Sequence, residues 1–508
     1  MTAQRSPFLI FLLLLLVVTS QNGQAHPAHK THAVTVVHKR QTLVAEHKKH
    51  TVATGHTKHT VAAEHKKHTV AAEHKKHTVA AEHKKRTATR EHTSHTLAAW
   101  HKKYPATPVH KKHAIATAHE IIEDRAIQPT ETMSESVRYA LINSENNRIT
   151  NPDQLAIVKE KLRRTIGSRK TVVRIVHIGD SHIQAGLMTN VLRRGLQSRY
   201  GNAGRGIVFP WQVAKTNGPS DIVSFSNNGW ISGRLSLTNS AVECGVCGYG
   251  LQSDSKNWAL EIGAKPERGD DDAFDIVRLF TGKNTGCFTL RYNGTEEKEV
   301  CMEPKNSFDA AVIPLRMKSR TIFLSRVSPD STGFAFYGAS FEKKNTPGII
   351  YHSIGVNGAE FASYNSTPLF FDQIATLNAD CYIISLGTNE AQRRNLNTED
   401  FALQVRSLLT HLRQISPDAV FIITTPAPSF LNSVAINPKI RMVSEVLVKV
   451  SDEEKISSWD LYGISGGDKG LAMFQIYGLY RPDLLHFNKA GYELQGDMLL
   501  AALLKITL

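Results

Sequence analysis

Residues 171–200 read TVVRIVHIGDSHIQAGLMTNVLRRGLQSRY, and the two halves of this stretch follow different periods. TVVRIVHIG is an apolar run rich in β-branched residues and predicts a strand ending at Gly179, whereas IQAGLMTNVLRRGLQSRY carries its apolar residues at helical spacing. Ser181 therefore sits where a strand turns into a helix N-terminus. Unpaired N–H groups and the positive end of the helix dipole are available there to hold an oxyanion. Asp and Ser at such a junction are also ordinary helix N-caps, so Gly179-Asp180-Ser181-His182 alone does not decide the chemistry.

Outward from this junction the alternation continues. Helix-like stretches run from Ser134 to Asn146 and from Pro152 to Ile166. Downstream come the strand-like GIIYHSIGV and DCYIISLG, a helix over Phe401–Ile415, the strand AVFIITTP, a helix over Pro438–Val450, the strand KISSWDLY and a last helix after Lys489. That order predicts an α/β fold with a parallel sheet covered on both faces. Residues 218–345 break the pattern: NWALEIG, AFDIVRLF, CFTLRYN, RTIFLSRV and GFAFYGASF, divided by Gly, Asn and Asp turns, predict an inserted all-β sandwich. The α/β part then comprises residues 116–217 and 346–508.

Three further elements fall at predicted strand ends or in loops. Asp483-Leu484-Leu485-His486 lets one turn present a carboxylate and an imidazole to one point, with His486 as general base for Ser181 and Asp483 holding its tautomer. Gly358 in GVNGAEF offers an N–H with no side chain in the way, and Asn389 in SLGTNEA offers an amide; both suit an oxyanion hole. Gly463-Ile464-Ser465-Gly466-Gly467 matches the G-x-S-x-G nucleophile pattern, but Ser465 stands too near Asp483 for the intervening helix and strands, and the segment reads as a flexible loop. Asp270, Asp271 and Asp272 read as an acidic turn or a cation site, and Asn293 and Asn365 as N-x-[ST] sites that matter only in a eukaryotic secretory pathway.

HIGDSHIQAG, AGRGIVFPW, GVNGAEF, SLGTNEA and DLLHFNKAGY together resemble the ordered blocks of the SGNH (GDSL-type) hydrolases, over most of residues 130–508. The G-D-S-H form, the AGRGIVFPW block and the large β insert more narrowly resemble the periplasmic peptidoglycan O-acetylesterases of Gram-negative bacteria. The resemblance implies a three-layer, flavodoxin-like domain with a carbohydrate-binding jelly roll as insert. It further implies Ser181 as nucleophile, Asp483 and His486 as acid and base, and Gly358, Asn389 and the Ser181 N–H as oxyanion hole. The substrate it implies is the acetyl ester on the muramic acid 6-hydroxyl, cleaved through an acetyl-enzyme with no metal or organic cofactor. Acetylated xylan as substrate, transfer of the acetyl group to a sugar, and a wall-binding protein without catalysis stay open as alternatives.

Residues 1–25 run from Arg5 through the apolar Phe8–Val18 to Gly23 and Ala25, the layout of a cleaved signal peptide, and no run is long enough to cross a bilayer. Export to the periplasm or cell envelope is expected. Residues 26–115 repeat AEHKKHTVA, with His47, His56, His65, His74 and His83 at a constant spacing; so polar a repeat cannot build a core. This tail holds 18 Lys and Arg against 5 Glu, so it accounts for nearly all of the net charge of +15, and 18 of the 24 His. The folded part is thus near neutral and shows no electrostatic footprint for nucleic acid. The tail suits anionic wall polymer, lipopolysaccharide or phospholipid headgroups, loose zinc or copper binding, or a solvated spacer. Five cysteines fit an oxidising compartment, with Cys287 and Cys301 facing each other across the predicted hairpin CFTLRYNGTEEKEVC; Cys244-x-x-Cys247 reads as a local disulfide or two thiols.

Overall fold

The computed structural model describes residues 132–507 apart from 168–170, 228, 266–271, 283–285, 303–309 and 328–332. The expected leader, the repeat tail, Asp270 and Asp271 lie outside the described residues.

The chain enters through α1 (Glu135–Asn143), capped by Ser134 Oγ accepting from Val137 N, and α2 (Ala156–Gly167). The helix predicted from Pro152 opens with a 3-10 turn, Pro152–Leu155, entered from a left-handed Asn151, and is α-helical only from Ala156. β1 (Val172–Gly179) is followed by the single turn α3 (Ser181–Gln184) and then α4 (Leu187–Tyr200). The one helix expected after Ser181 is thus two. Gly186 between them has φ +72°, and a Cβ there would overlap Pro219.

β2 (Asn202–Val208) leads into β3 (Ile222–Ser226), β4 (Ile231–Arg234), β5 (Tyr249–Ser253), β6 (Ala259–Ala264), β7 (Phe274–Thr281), β8 (Gly286–Tyr292), β9 (Glu296–Met302), β10 (Ala311–Ser319), β11 (Thr321–Arg326) and β12 (Phe334–Glu342). The α/β pattern then resumes with β13 (Gly348–Gly355), α5 (Phe361–Asn365), α6 (Pro368–Ala375), β14 (Cys381–Ser385), α7 (Thr388–Gln392), α8 (Thr398–Ile415) and β15 (Val420–Thr424). After a small ribbon of β16 (Phe430–Leu431) and β17 (Ala435–Ile436) come α9 (Pro438–Glu453), β18 (Ser457–Trp459), α10 (Leu461–Ile464), α11 (Asp468–Ile476) and α12 (Lys489–Thr507).

The strands β2-β13-β1-β14-β15-β18 run parallel in that spatial order. Without β2 this is the doubly wound order with its switch point at the first strand, where ligands bind beyond the strand ends. The register makes those ends level, with Gly179 opposite both Gly355 and Ser385. The sheet is covered on both faces. Leu162, Leu192, Leu196, Leu494 and Met498 of α2, α4 and α12 pack on one side, and Phe361, Phe370, Val405, Leu408 and Val443 of α5, α6, α8 and α9 on the other.

The insert is built of antiparallel strands, as its turn-divided runs predict, but it is not detached from the sheet. β12 pairs antiparallel with β2 and then with β7, which pairs with β10, while β5 pairs with β12 and β4 with β5; these strands carry the central sheet outward. Among the described residues of the insert, β3-β6-β11-β8-β9 form a separate sheet, joined to the first by Trp258 and Phe288, whose rings lie 4.0 and 5.5 Å from that of Phe334. The insert also shares the core of the upper helical layer.

A buried ionic cluster pins the junction. Arg205 of β2 donates to both carboxylate oxygens of Asp221 at 2.8 and 3.0 Å, and Arg193 of α4 donates to Asp221 and Asp272 at 3.2 Å. Burial works to raise Asp221, but the two guanidiniums outweigh it and hold its pKa at about 2. Asp272 is therefore an ion-pair partner of Arg193, where the sequence suggested an acidic turn. Cys287 and Cys301 stand opposite each other in the β8–β9 hairpin and are disulfide-bonded. Cys244 and Cys247 are buried thiols, as is Cys381, and burial pushes Cys244 up to about 11.

Candidate active site

The turn 481–486 is built by one carboxylate. Asp483 Oδ1 accepts from the backbone N–H of Leu485 at 3.0 Å and of His486 at 2.9 Å, a closure that needs Leu484 at φ +51°. Oδ2 is left to accept from His486 Nδ1 at 2.9 Å. That bond sets the tautomer, so His486 Nε2 faces the Ser181 hydroxyl at 2.9 Å as acceptor. Burial would raise the Asp483 pKa, yet the two backbone N–H groups and His486 bring it below its ordinary value. Burial and the neighbouring His182 push His486 below its ordinary value against the pull of Asp483, so it is neutral around pH 7.

Ser181 opens the single turn of α3, and Asp180 caps that turn through its side chain, accepting from His182 N at 2.9 Å. The extended dipole of a long helix, expected from the sequence, is absent at Ser181; the local N–H groups remain. Gly179 allows this tight exit, because a Cβ would meet Ile183 and the Ser385 carbonyl.

Gly358 and Asn389 lie in the loops beyond β13 and β14, lining one cleft of about 590 Å3 with Ser181, Asp483 and His486. Gly358 has φ +76°, and a Cβ there would meet nothing nearer than 3.8 Å, so its need for glycine is conformational. Asn389 Nδ2 donates to Ala359 O at 2.9 Å and reaches Asp180 Oδ2 at 3.4 Å. All five candidate residues from the sequence thus meet at one place. Ser465 does not. It ends α10, and its buried hydroxyl donates to the Leu461 carbonyl, so GISGG is a helix terminus where a flexible loop was expected.

Three functional neighbours carry no role in the sequence reading. His182 Nδ1 donates to Asp180 Oδ1 at 3.0 Å, and its ring lies against His486; burial opposes its protonation, but Asp180 wins and raises its pKa. Gln184 is buried and joins four segments. Its Oε1 accepts from Asn357 N at 2.6 Å and from the Tyr249 hydroxyl at 2.9 Å, and its Nε2 donates to Asn217 O at 2.7 Å and Thr216 Oγ1 at 3.1 Å. The loop bearing Gly358 is therefore tied to the turn bearing Ser181 and to the insert. Glu390, buried beside Asn389, is pushed up to about 8 by burial and accepts from Phe361 N at 2.8 Å, bracing the same loop from the far side. The G-D-S-H-I-Q string placed His182 and Gln184 near Ser181, but nothing in one sequence showed their partners.

A second cleft of about 630 Å3, between Leu235–Cys244 and Glu360–Leu369, holds the exposed Glu360–Arg393 ion pair and none of the five residues above. Among the described residues no helix is long and apolar enough to cross a membrane.

Residues 326–494 match the sequence model of the GDSL-like Lipase/Acylhydrolase family, a span that includes Gly358, Asn389, Asp483 and His486 but begins after Ser181. Comparison with curated proteins returns no match. Among solved structures the fold is similar to one described as a peptidoglycan O-acetylesterase in action, with TM-score 0.58 and 22% identity, covering 69% of this chain and 95% of that one. A catalytic mutant of an acetylxylan esterase from Geobacillus stearothermophilus aligns with TM-score 0.25 and 17% identity, over 32% of this chain and 73% of that one. A lipase/acylhydrolase from Enterococcus faecalis aligns with TM-score 0.24 and 21% identity, over 30% and 74%. Residues 326–494 are thus matched by the GDSL-like Lipase/Acylhydrolase model, and the fold is similar along nearly the whole of one solved structure.

Proposed function

We propose that this protein is an SGNH (GDSL-type) carboxylic ester hydrolase, an exported acetyl esterase that removes O-acetyl groups from cell-wall glycan, peptidoglycan foremost, with Ser181 as nucleophile. The observation that carries the reading is the line Ser181 Oγ to His486 Nε2 to Nδ1 to Asp483 Oδ2, with both hydrogen bonds 2.9 Å, opening into a cleft also lined by Gly358 and Asn389. His486 takes the Ser181 proton as Oγ attacks the acetyl carbonyl, and Asp483 stabilises the imidazolium formed. The N–H groups of Ser181 and Gly358 and the Asn389 amide receive the oxyanion; the long contact of Asn389 to Asp180 is the one it exchanges. Collapse returns the proton to the sugar hydroxyl as it leaves, and water then hydrolyses the acetyl-serine with His486 as base.

The glycan substrate is supported by likeness of fold to the peptidoglycan O-acetylesterase structure, and export by the leader-like residues 1–25. In this reading residues 218–345 form a carbohydrate-binding insert, and the basic residues 26–115 hold the enzyme near anionic envelope polymer or lipid.

Acetate release from O-acetylated peptidoglycan, with acetylated xylan in parallel and Ser181→Ala as control, tests it. Release from peptidoglycan that disappears in Ser181→Ala supports the proposal. Preference for xylan keeps the mechanism and moves the substrate, and no Ser181-dependent release from either overturns it.

A further inference from the structure

Arg481 lines the same cleft as Ser181 and His486, and it is solvent-exposed. Its backbone belongs to the turn that presents the imidazole: its N–H donates to His486 O at 2.8 Å, and its carbonyl accepts from Leu484 N at 2.9 Å. Pro482 follows and fixes the chain direction there. The root of the Arg481 side chain is therefore held at a constant place relative to the base. Its charge is felt at the buried Tyr492 hydroxyl, which lines the same cleft.

The rest of the wall is nearly free of charge. Asn217, Ser220, Asn357 and Thr388 are neutral, and the carboxylate of Asp483 is committed to His486 and two backbone N–H groups. Among the described residues no carboxylate forms a salt bridge with Arg481, whereas Arg393, Arg406, Arg413 and Arg441 on the same domain each have one. A neutral acetylated sugar has no use for a cation without an ion-pair partner on the cleft wall. A sugar that bears a carboxylate does, because a guanidinium pairs with it in a fork of two parallel hydrogen bonds.

We infer that Arg481 forms an anion subsite at the cleft rim and makes the enzyme selective for acetyl esters on a sugar that also carries a carboxylate. This rests on the glycan-esterase reading and deepens it. A muramoyl residue whose lactyl acid carries no stem peptide meets the requirement, with that acid on the ring that bears the 6-acetyl group; a muramoyl residue whose lactyl acid is amide-linked to peptide, and an acetylated xylose, do not.

The test compares the full chain with Arg481→Gln and Arg481→Lys on three esters: p-nitrophenyl acetate, a 6-O-acetylated muramoyl glycan fragment with its lactyl carboxylate free, and the same fragment with that acid converted to the methylamide. The expected result is that the unaltered enzyme prefers the acid to the amide by about 10-fold in kcat/KM, a charge-assisted hydrogen bond's worth. Arg481→Gln removes that preference through KM and leaves the amide and p-nitrophenyl acetate rates unchanged; Arg481→Lys retains part of it, and added salt erodes it. Equal cleavage of acid and amide by the unaltered enzyme, or an equal loss on all three esters in Arg481→Gln, overturns the inference and leaves the glycan-esterase reading standing. Cleavage of acetylated xylan with no cleavage of either muramoyl fragment overturns both.

Discussion

The imidazole of His182 stacks on that of His486, with centroids 5.0 Å apart and planes inclined by 27°. Burial and this neighbour both push His486 downward, while Asp180 favours the charged form of His182. A cationic ring against the base keeps the base neutral. Replacing His182 with Gln therefore raises the His486 pKa, and the acid limb of the kcat/KM profile on p-nitrophenyl acetate moves to higher pH. An unmoved or lowered limb contradicts this electrostatic role.

Asp483→Asn keeps a hydrogen-bonding group of the same size but no longer enforces the tautomer with Nε2 free. Esterase kcat falls by about 10,000-fold, as in other serine triads. Circular dichroism and thermal melting stay close to those of the unaltered protein, because Asp483 is partly exposed and the Asn oxygen still accepts from Leu485 and His486 N–H. A loss under 10-fold would show that Asp483 does not orient the base.

Gln184→Leu fills a similar volume but releases Asn357 N, Tyr249 and the 216–217 loop together. With the Gly358 loop no longer held against the Ser181 turn, kcat drops by about 100-fold, the scale of one oxyanion donor, and KM changes little. Steady-state kinetics beside a thermal melt separates this from simple unfolding; a rise in KM at constant kcat would place Gln184 in substrate binding.

Asp221→Ala leaves Arg193 and Arg205 buried without their shared partner and costs about 3–5 kcal/mol, read as a lowered midpoint in urea. The folded pKa of Asp221, about 2, is below its ordinary value, so its contribution to stability is present above that ordinary value and is lost as pH falls through about 2. The unaltered protein therefore loses stability on acidification below about pH 4 more steeply than Asp221→Ala. Parallel curves would remove Asp221 from the acid response.

The legible parts of this molecule are those where one local pattern determines the answer. β1 is a continuous buried apolar run, and Asp483-x-x-His486 closes within one turn, so both could be read without knowing their neighbours. β2 could not. Gly204 and Gly206, at φ +146° and +81°, admit the backbones of Phe341 and Tyr351 at distances no Cβ would allow, and the same glycines erase its strand signal. The brevity of α3 was hidden because Ile183 continues the apolar spacing of α4, and only Ala185 and the left-handed Gly186 separate the two helices. Gln184 looked like a polar position on a helix; its partners at 216–217, 249 and 357 are assembled by the fold alone.

Because β2 pairs with β13 along one side and with β12 along the other, the inserted segment is not a removable accessory. Cutting out residues 218–345 would bare the outer row of β2 amides and carbonyls and strip apolar cover from Phe209 and Trp211. An edge of that kind recruits strands from other molecules. Trimming to a minimal catalytic fragment would therefore yield aggregate, and the segment's boundaries can drift only by changes that leave β12 seated on β2.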